Sequence, residues 1–376
     1  MNNTFCTFPV NGMFISGRGV GLCCVADKKY QMGPLEFWNS NDRKTLVNNQ
    51  KDGIEINDCQ ICYHNQEKGI LSHRQIYNSN KNNTIKTLPT KLDLDFSNLC
   101  NLKCIMCHSG RSSQWAKELG IHTETNGVKT ITDELLKETC ELSHNLEELL
   151  IQGGEPSIMP EFETYFQYLK DNNLIKNIKL QVISNLTNIN TRFFERLKDF
   201  KNVRLCVSVD SYGPANDYIR FPSKFEKITE NLIKVSEMSN NIEVELFNSI
   251  QILSLFNYNK FLDWCVSIED HFKLNNKSFK IIALKVTEPT IYSLFNAPAQ
   301  LKAKFNSDIE KFFKSNKSAL RGNVHFPIEL KLLQKKLLAS TSNNDQLHQL
   351  KEQLSVLDQR RNIKITNYIP NLHKYV

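Results

Sequence analysis

The sequence predicts an α/β fold: a partial barrel of six β/α units over residues 86–295, a small cysteine-rich domain at 1–85 before it, and a helical extension at 296–376 after it. Three observations predict this. From Lys91 to about Pro289 short apolar runs alternate with longer amphipathic ones, which calls for parallel strands joined by helices. Five of the eleven cysteines fall before residue 63, in a stretch of different texture. Beyond about Ala297 the pattern is helical and charged throughout. A full eight-unit barrel usually needs about 250 residues, more than the central segment offers.

A chain of 376 residues can bury a substantial core. The formal net charge of +7 is modest and spread along the chain, so it permits a nucleic-acid partner without calling for one, and none is expected. Eleven cysteines with no signal peptide and no long apolar run argue against a secreted disulfide scaffold or a membrane protein. A soluble protein of the cytoplasm is expected, its cysteines serving as metal ligands or core residues.

In the first segment Cys6 precedes the run Gly17-Arg18-Gly19-Val20-Gly21, followed by Cys23, Cys24 and, further on, Cys59-x2-Cys62. The glycines predict a tight hairpin whose backbone can approach a metal closely. A Cys-x2-Cys pair aims two thiolates at one metal from a single turn, and a second pair completes a four-thiolate site for zinc or an iron–sulfur cluster. The Asn- and Lys-rich stretch from Tyr77 to Lys91, with Pro89, predicts an exposed connection and a boundary near residue 85.

Strands are expected at Lys91 to Phe96, Glu147 to Ile151, Lys179 to Ser184, Val203 to Val209, Glu243 to Ile250 and Phe279 to Leu284. Helices between them include Pro160 to Asp171, with Phe162, Tyr165, Phe166 and Leu169 on one face, and Phe225 to Met238, with Phe225, Ile228, Leu232 and Val235. Ligand groups of parallel α/β folds collect in the loops after the strands. After the first of these strands come Cys100, Cys104 and Cys107. A four-iron cluster normally takes four thiolates, so three from one loop leave one iron open to a small molecule. The same spacing, i, i+4, i+7, would also line one face of a buried helix. Asn98 and Asn101 favour a loop, because their side chains compete for backbone hydrogen bonds.

After the second strand comes Gly153-Gly154-Glu155, whose glycines leave backbone open to a ligand and whose carboxylate can accept from an amine. Ser184 and Asn185 follow the third strand; Ser208 and Asp210 follow the fourth and could bond a ribose diol. Cys140, Cys206 and Cys265 fall inside predicted helices or strands and are expected to be small buried hydrophobes. In the tail, helices are expected at Phe305 to Phe313, Pro327 to Leu338 and Gln346 to Arg361. Its position suggests closing the open side of the barrel and shaping the substrate pocket.

Cys-x3-Cys-x2-Cys after a first strand resembles the cluster loop of the radical S-adenosylmethionine (SAM) enzymes, although the position before the last cysteine, often aromatic in that family, is Met106. The resemblance implies that Cys100, Cys104 and Cys107 hold a four-iron four-sulfur cluster whose open iron chelates SAM and cleaves it reductively to a 5′-deoxyadenosyl radical. It implies that Met106 packs on the adenine, that Gly153, Gly154 and Glu155 hold the SAM amino group, that Ser184, Asn185, Ser208 and Asp210 lie near the ribose, and that Arg220 meets the SAM carboxylate. Cys6, Gly19 followed after four residues by Cys24, and Cys59-x2-Cys62 resemble a twitch domain, the short relative of the SPASM domain, here preceding the core. That resemblance implies a second four-iron four-sulfur cluster on Cys6, Cys24, Cys59 and Cys62, the glycine spacing favouring Cys24 over Cys23, with zinc as the alternative metal.

The implied activity is radical hydrogen abstraction from a peptide or protein side chain, fed by an external low-potential electron donor. A small metabolite or sugar derivative is the alternative substrate, and a non-catalytic zinc or iron–sulfur carrier or sensor the alternative function. No general base or substrate anchor stands out in the sequence.

Overall fold

The computed structural model describes residues 4–68, 71–79, 87–121, 128–315, 320, 323 and 325–375. Among the described residues eight strands form: β1 (Gly12–Ser16), β2 (Gly19–Gly21), β3 (Lys91–Asp95), β4 (Glu148–Ile151), β5 (Lys179–Ser184), β6 (Asn202–Ser208), β7 (Ile242–Ile250) and β8 (Phe279–Lys285). They follow the order β2-β1-β3-β4-β5-β6-β7-β8 in one open sheet. Each of the six expected central strands is present, displaced by at most one residue at either end. The chain divides into two compact units.

The first unit is Met1–Leu99, Thr123–Ile183 and Thr191–Val203. The glycine run makes the expected hairpin, with Ser16 opposite Gly19 and Gly19 at φ +118°. β1 then pairs in parallel with β3, from Gly12 opposite Lys91 to Ser16 opposite Asp95. The cysteine-rich segment therefore adds two strands to the sheet. Part of the expected connection, residues 80–86, lies outside the described residues.

Alternation along β3 sorts its side chains by face. Leu92, Leu94 and the adjoining Phe96 are fully buried. Phe96 stacks on Phe162 at 4.6 Å between ring centroids and meets Tyr165 edge-on at 5.8 Å. These rings come from the helix Pro160–Asp171, which begins where Pro160 suits a first helical turn. Burying each ring contributes about 1.5–3 kcal/mol, and good ring pairing adds about 0.5–1.5 kcal/mol. The intervening Asp93 and Asp95 are polar but just as buried. Gln152 Nε2 donates to Asp93 Oδ1 at 2.7 Å, and Arg18 Nη2 to Asp95 Oδ2 at 3.1 Å.

Besides the single turn Phe8–Asn11, the described residues of the N-terminal segment form helices that the sequence reading did not anticipate: Pro34–Asn39, Asn41–Lys51, Gln60–Glu67 and His73–Asn78. Ser40 caps the second, accepting from Arg43 N, and Ser72 with Gln75 forms a capping box on the last.

The second unit is Cys100–His122, Ser184–Asn190 and Arg204–Val376. β7 and β8 pair in parallel from Val244 opposite Phe279 to Ile250 opposite Lys285. The helix Phe225–Ser236 buries the expected face of Phe225, Ile228, Leu232 and Val235. The tail supplies the helices Ala299–Ser315, His325–Ala339 and Asn344–Arg361. Among the described residues β8 has a neighbouring strand on one side only. On its other side Asn323 plays the part of a strand: its Oδ1 accepts from Ile281 N at 2.5 Å and its Nδ2 donates to Phe279 O at 3.2 Å. This satisfies edge groups that would otherwise invite another chain. Cys140, in the first unit, and Cys206 and Cys265, in the second, are buried. Among the described residues no helix is long and apolar enough to cross a membrane.

Candidate functional site

Cys100, Cys104 and Cys107 lie in the second unit on a segment without a helical residue, so they do not line a helix face. Leu102 and Ile105 between them are buried, while Cys104, Met106 and Cys107 are half-buried. Main-chain bonds hold the loop: Lys103 N donates to Phe221 O at 2.7 Å, Ile105 N to Ile219 O at 2.8 Å, and Cys107 N to Cys104 O at 2.9 Å. Side chains add to this. Ser113 Oγ accepts from Cys100 N at 3.1 Å, and Trp115 Nε1 donates to Cys104 O at 2.7 Å.

The two bonds to residues 219 and 221 bracket Arg220. Its Nη1 donates to Asp210 Oδ2 at 2.7 Å, and Asp210 Oδ1 accepts from Ser249 N at 3.0 Å. Sequence reasoning assigned these two residues separately to a ribose and a carboxylate; the fold pairs them with each other. A fully buried carboxylate is costly without a partner, and Arg220 is that partner. Arg220 Nε is buried and, among the described residues, has no hydrogen-bond acceptor. Burial pushes the Cys104 thiol up to about 11 and raises Cys107 too, while the Arg220 guanidinium pulls both back down. In return, against the downward effect of burial, Cys104 and Asp210 hold Arg220 above its ordinary value.

Asn185 Nδ2 donates to Asn101 Oδ1 at 2.8 Å, and Asn101 Nδ2 donates to Thr187 Oγ1 at 2.8 Å. Thr187 closes the triangle by donating its hydroxyl to Asn185 Oδ1 at 2.7 Å. This network ties residues 185–187 to the three-cysteine loop. Ser184 Oγ accepts from Leu186 N at 3.0 Å, and Ser208 is half-buried. Asn101 was noted in the sequence as a loop former, whereas Thr187 gave no signal.

In the first unit, Gly153 has φ +122°, and a Cβ there would lie 2.5 Å from Asp95 Oδ1. A Cβ on Gly154 would lie 2.1 Å from Leu99 O. Space expected to be open to a ligand is therefore filled by the chain's own residues 97–99, with Gly154 N donating to Ser97 O at 3.0 Å and Glu155 N to Leu99 O at 2.8 Å. Glu155 is 1% exposed, and its Oε1 accepts from Ser157 Oγ at 2.6 Å.

Among the N-terminal cysteines, Cys23 lies within electrostatic reach of Cys59, Cys6 and Cys62, and Cys59 within reach of Cys6 and Cys62. Burial, then this mutual repulsion, raises the Cys23 thiol, and burial pushes Cys6 and Cys59 up to about 12. Gln50 Nε2 donates to Cys59 Sγ at 3.0 Å. Burial, followed by the charges of Asp93 and Cys23, raises the Cys24 thiol, which also has Asp93 and Gln152 as hydrogen-bond partners. Cys6, Cys23, Cys59 and Cys62 thus act on one another electrostatically, and the expected ligand Cys24 adjoins them through Cys23. Among the described residues no three His, Cys, Asp or Glu side chains are gathered as they would be around a single metal ion. A four-iron cluster holds its ligands further apart than one ion does.

Residues 94–254 match the family model described as Radical SAM superfamily. That segment is a radical SAM superfamily domain. The radical SAM domain takes in the three-cysteine loop, Gly153-Gly154-Glu155, Asp210 and Arg220, and leaves the N-terminal cysteines and the tail outside. No curated protein matches the chain. Among solved structures, native anSMEcpe with bound AdoMet is 19% identical over 68% of this chain and 69% of that chain, with a TM-score of 0.41. Streptococcus suis SuiB bound to S-adenosylmethionine is 12% identical over 77% of this chain and 53% of that chain, at a TM-score of 0.35, so this chain spans about half of SuiB. TYW1 with a lysine-pyruvate adduct bound is 14% identical over 62% and 72%, at 0.33.

Proposed function

We propose that the protein is a radical SAM enzyme acting on a peptide or protein side chain. The observation that carries this reading is three thiols on one non-helical loop, braced around Arg220, inside the segment that matches the radical SAM model. The donor set fits a four-iron cluster: three soft ligands from one loop, beside a guanidinium whose charge favours their thiolate forms. Bound there with SAM, the cluster would supply the electron that splits the cofactor into methionine and a 5′-deoxyadenosyl radical.

The chain's own residues have narrower tasks. Glu155 accepts the SAM amino group on the carboxylate that Ser157 orients. Arg220, pinned by Asp210, presents Nε to a carboxylate. Ser184, Asn185 and Ser208 border the ribose, and Met106 covers the adenine. Residues 1–85 form an auxiliary-cluster region, with Cys6, Cys23, Cys59 and Cys62 as ligands; residues 86–295 are the core and 296–376 the helical extension that shapes the substrate pocket. The peptide substrate rests on the cysteine pattern of the auxiliary region. An external low-potential donor in the cytoplasm would deliver the electrons.

The test is anaerobic reconstitution with iron and sulfide, dithionite reduction with SAM, and chromatography for 5′-deoxyadenosine. Tight zinc binding with no iron uptake would overturn the reading. Two further outcomes are expected. Glu155→Ala should weaken SAM binding by about tenfold or more, the worth of a charge-assisted hydrogen bond, in equilibrium dialysis; wild-type affinity would remove Glu155 from the amine. Cys23→Ala should lower iron per chain by about one cluster's share while Cys24→Ala leaves it unchanged. A loss confined to Cys24→Ala would reverse that assignment.

A further inference from the structure

Arg361, the last residue of the C-terminal helix Asn344–Arg361, lies outside the matched radical SAM segment, yet its side chain is fully buried against the three-cysteine loop. Its Nη2 donates to Lys103 O at 2.9 Å, in the stretch between Cys100 and Cys104. Its Nε donates to both oxygens of Glu118 at 3.3 Å, and Glu118 also takes Lys103 Nζ at 2.5 Å. The guanidinium carbon sits 5.0 Å from the Trp115 ring centroid and 5.1 Å from that of Phe221. Each neighbour of Arg361 is itself a brace of the loop. Trp115 holds Cys104 O, Phe221 O holds Lys103 N, and Glu118 holds the Lys103 side chain.

We infer that Arg361 is a positioning residue for the three-cysteine loop, so that the end of the C-terminal helix fixes where the thiols sit. A guanidinium does this where an ammonium cannot. It is planar enough to lie against two rings, and its fork reaches a carboxylate and a carbonyl together. Deleting the fork leaves Lys103 O without its donor and two of the loop's braces without the group they pack on. The loop then opens locally more often while the rest of the second unit stays folded. The helix end is itself anchored, because Asp358 Oδ1 accepts from Tyr218 Oη at 2.8 Å and Asp358 Oδ2 from Ile365 N at 2.8 Å.

The inference does not need a cluster to be tested. In iron-free protein, Arg361→Met should raise the alkylation rates of Cys104 and Cys107 roughly tenfold, the factor expected when a charge-assisted hydrogen bond is lost from a local opening equilibrium. Cys206 and Cys265, buried in the same unit, serve as internal controls and should keep their wild-type protection. Arg361→Lys, which keeps the charge but not the fork, should fall between wild type and Arg361→Met. If Arg361→Met exposes the control cysteines, Arg361→Lys becomes the deciding variant, and faster labelling confined to Cys104 and Cys107 is the expected result. Wild-type labelling of both loop cysteines in the deciding variant would overturn the inference. Reconstituted protein gives a second readout that rests on the proposed function: iron should leave the Arg361→Met protein for a chelator faster than it leaves wild type. Faster labelling in a protein that takes up no iron at this loop would keep Arg361 in its role and discard the cluster.

Discussion

Replacing Cys104 by alanine is expected to reduce 5′-deoxyadenosine formation from SAM to the protein-free background, and to lower bound iron by about one cluster's share. The substitution is close to a pure removal of the thiol. The bonds that shape the loop at this residue run to its carbonyl, from Trp115 Nε1 and Cys107 N, and alanine keeps that carbonyl. The side chain is half-buried, so its loss leaves no large core cavity, and stability should change by about 1 kcal/mol or less. Arg220 keeps its buried partner Asp210. Activity should therefore vanish in a protein whose urea unfolding midpoint is nearly that of wild type. Undiminished 5′-deoxyadenosine from Cys104→Ala would sink the three-thiol reading, because two cysteines from this loop leave the cluster short of a ligand.

How much of this was legible in the sequence depended on distance along the chain. The central strands and the helix Pro160–Asp171 were readable because burial on one or both faces writes itself as a local period, and Pro160 marks a first turn. The loop conformation of residues 100–107 was readable from Asn98 and Asn101, whose side chains do bond Lys129 N and Thr187 rather than leaving a helix to form. The helices of the N-terminal segment carried local signals as well, Pro34, Ser40 and the Ser72/Gln75 pair, but the cysteines and glycines there suggested only a metal-binding loop region.

The choice between Cys23 and Cys24 shows a different limit. Cys23 lies in a bend and Cys24 in a turn just past the hairpin, so spacing from Gly19 says how far a thiol is along the chain but not which way it faces. The pairing of Asp210 with Arg220 depends on the turn and short helix Pro214–Ile219 between them, and the contact of Arg361 with Lys103 spans 258 residues. No local pattern encodes either. The first follows from the requirement that buried charges be paired, which Arg361 meets through Glu118.

The glycine pair makes the last prediction. Gly154→Ala should destabilise the protein by about 3 kcal/mol, near the upper end of what overpacking usually costs. The added methyl would lie 2.1 Å from Leu99 O, 2.6 Å from Leu99 C and 2.8 Å from Asn98 C, all backbone atoms. A flexible side chain could swing away, but this backbone is fixed by Glu155 N on Leu99 O, Gly154 N on Ser97 O and Asn98 N on Lys129 O. Relief requires either breaking those bonds or displacing Leu99, which is covalently joined to Cys100. The same strain should therefore lower iron uptake, although Gly154 has no side chain with which to ligate iron. Gly110→Ala is the matched control, since its methyl would meet only the His108 ring, at 3.0 and 3.1 Å, in an exposed position where the ring can move. Urea unfolding of the two variants separates the cases. A Gly154→Ala protein as stable as Gly110→Ala, with full iron uptake, would mean that residues 97–99 yield to the methyl and that the glycine is there for a ligand after all.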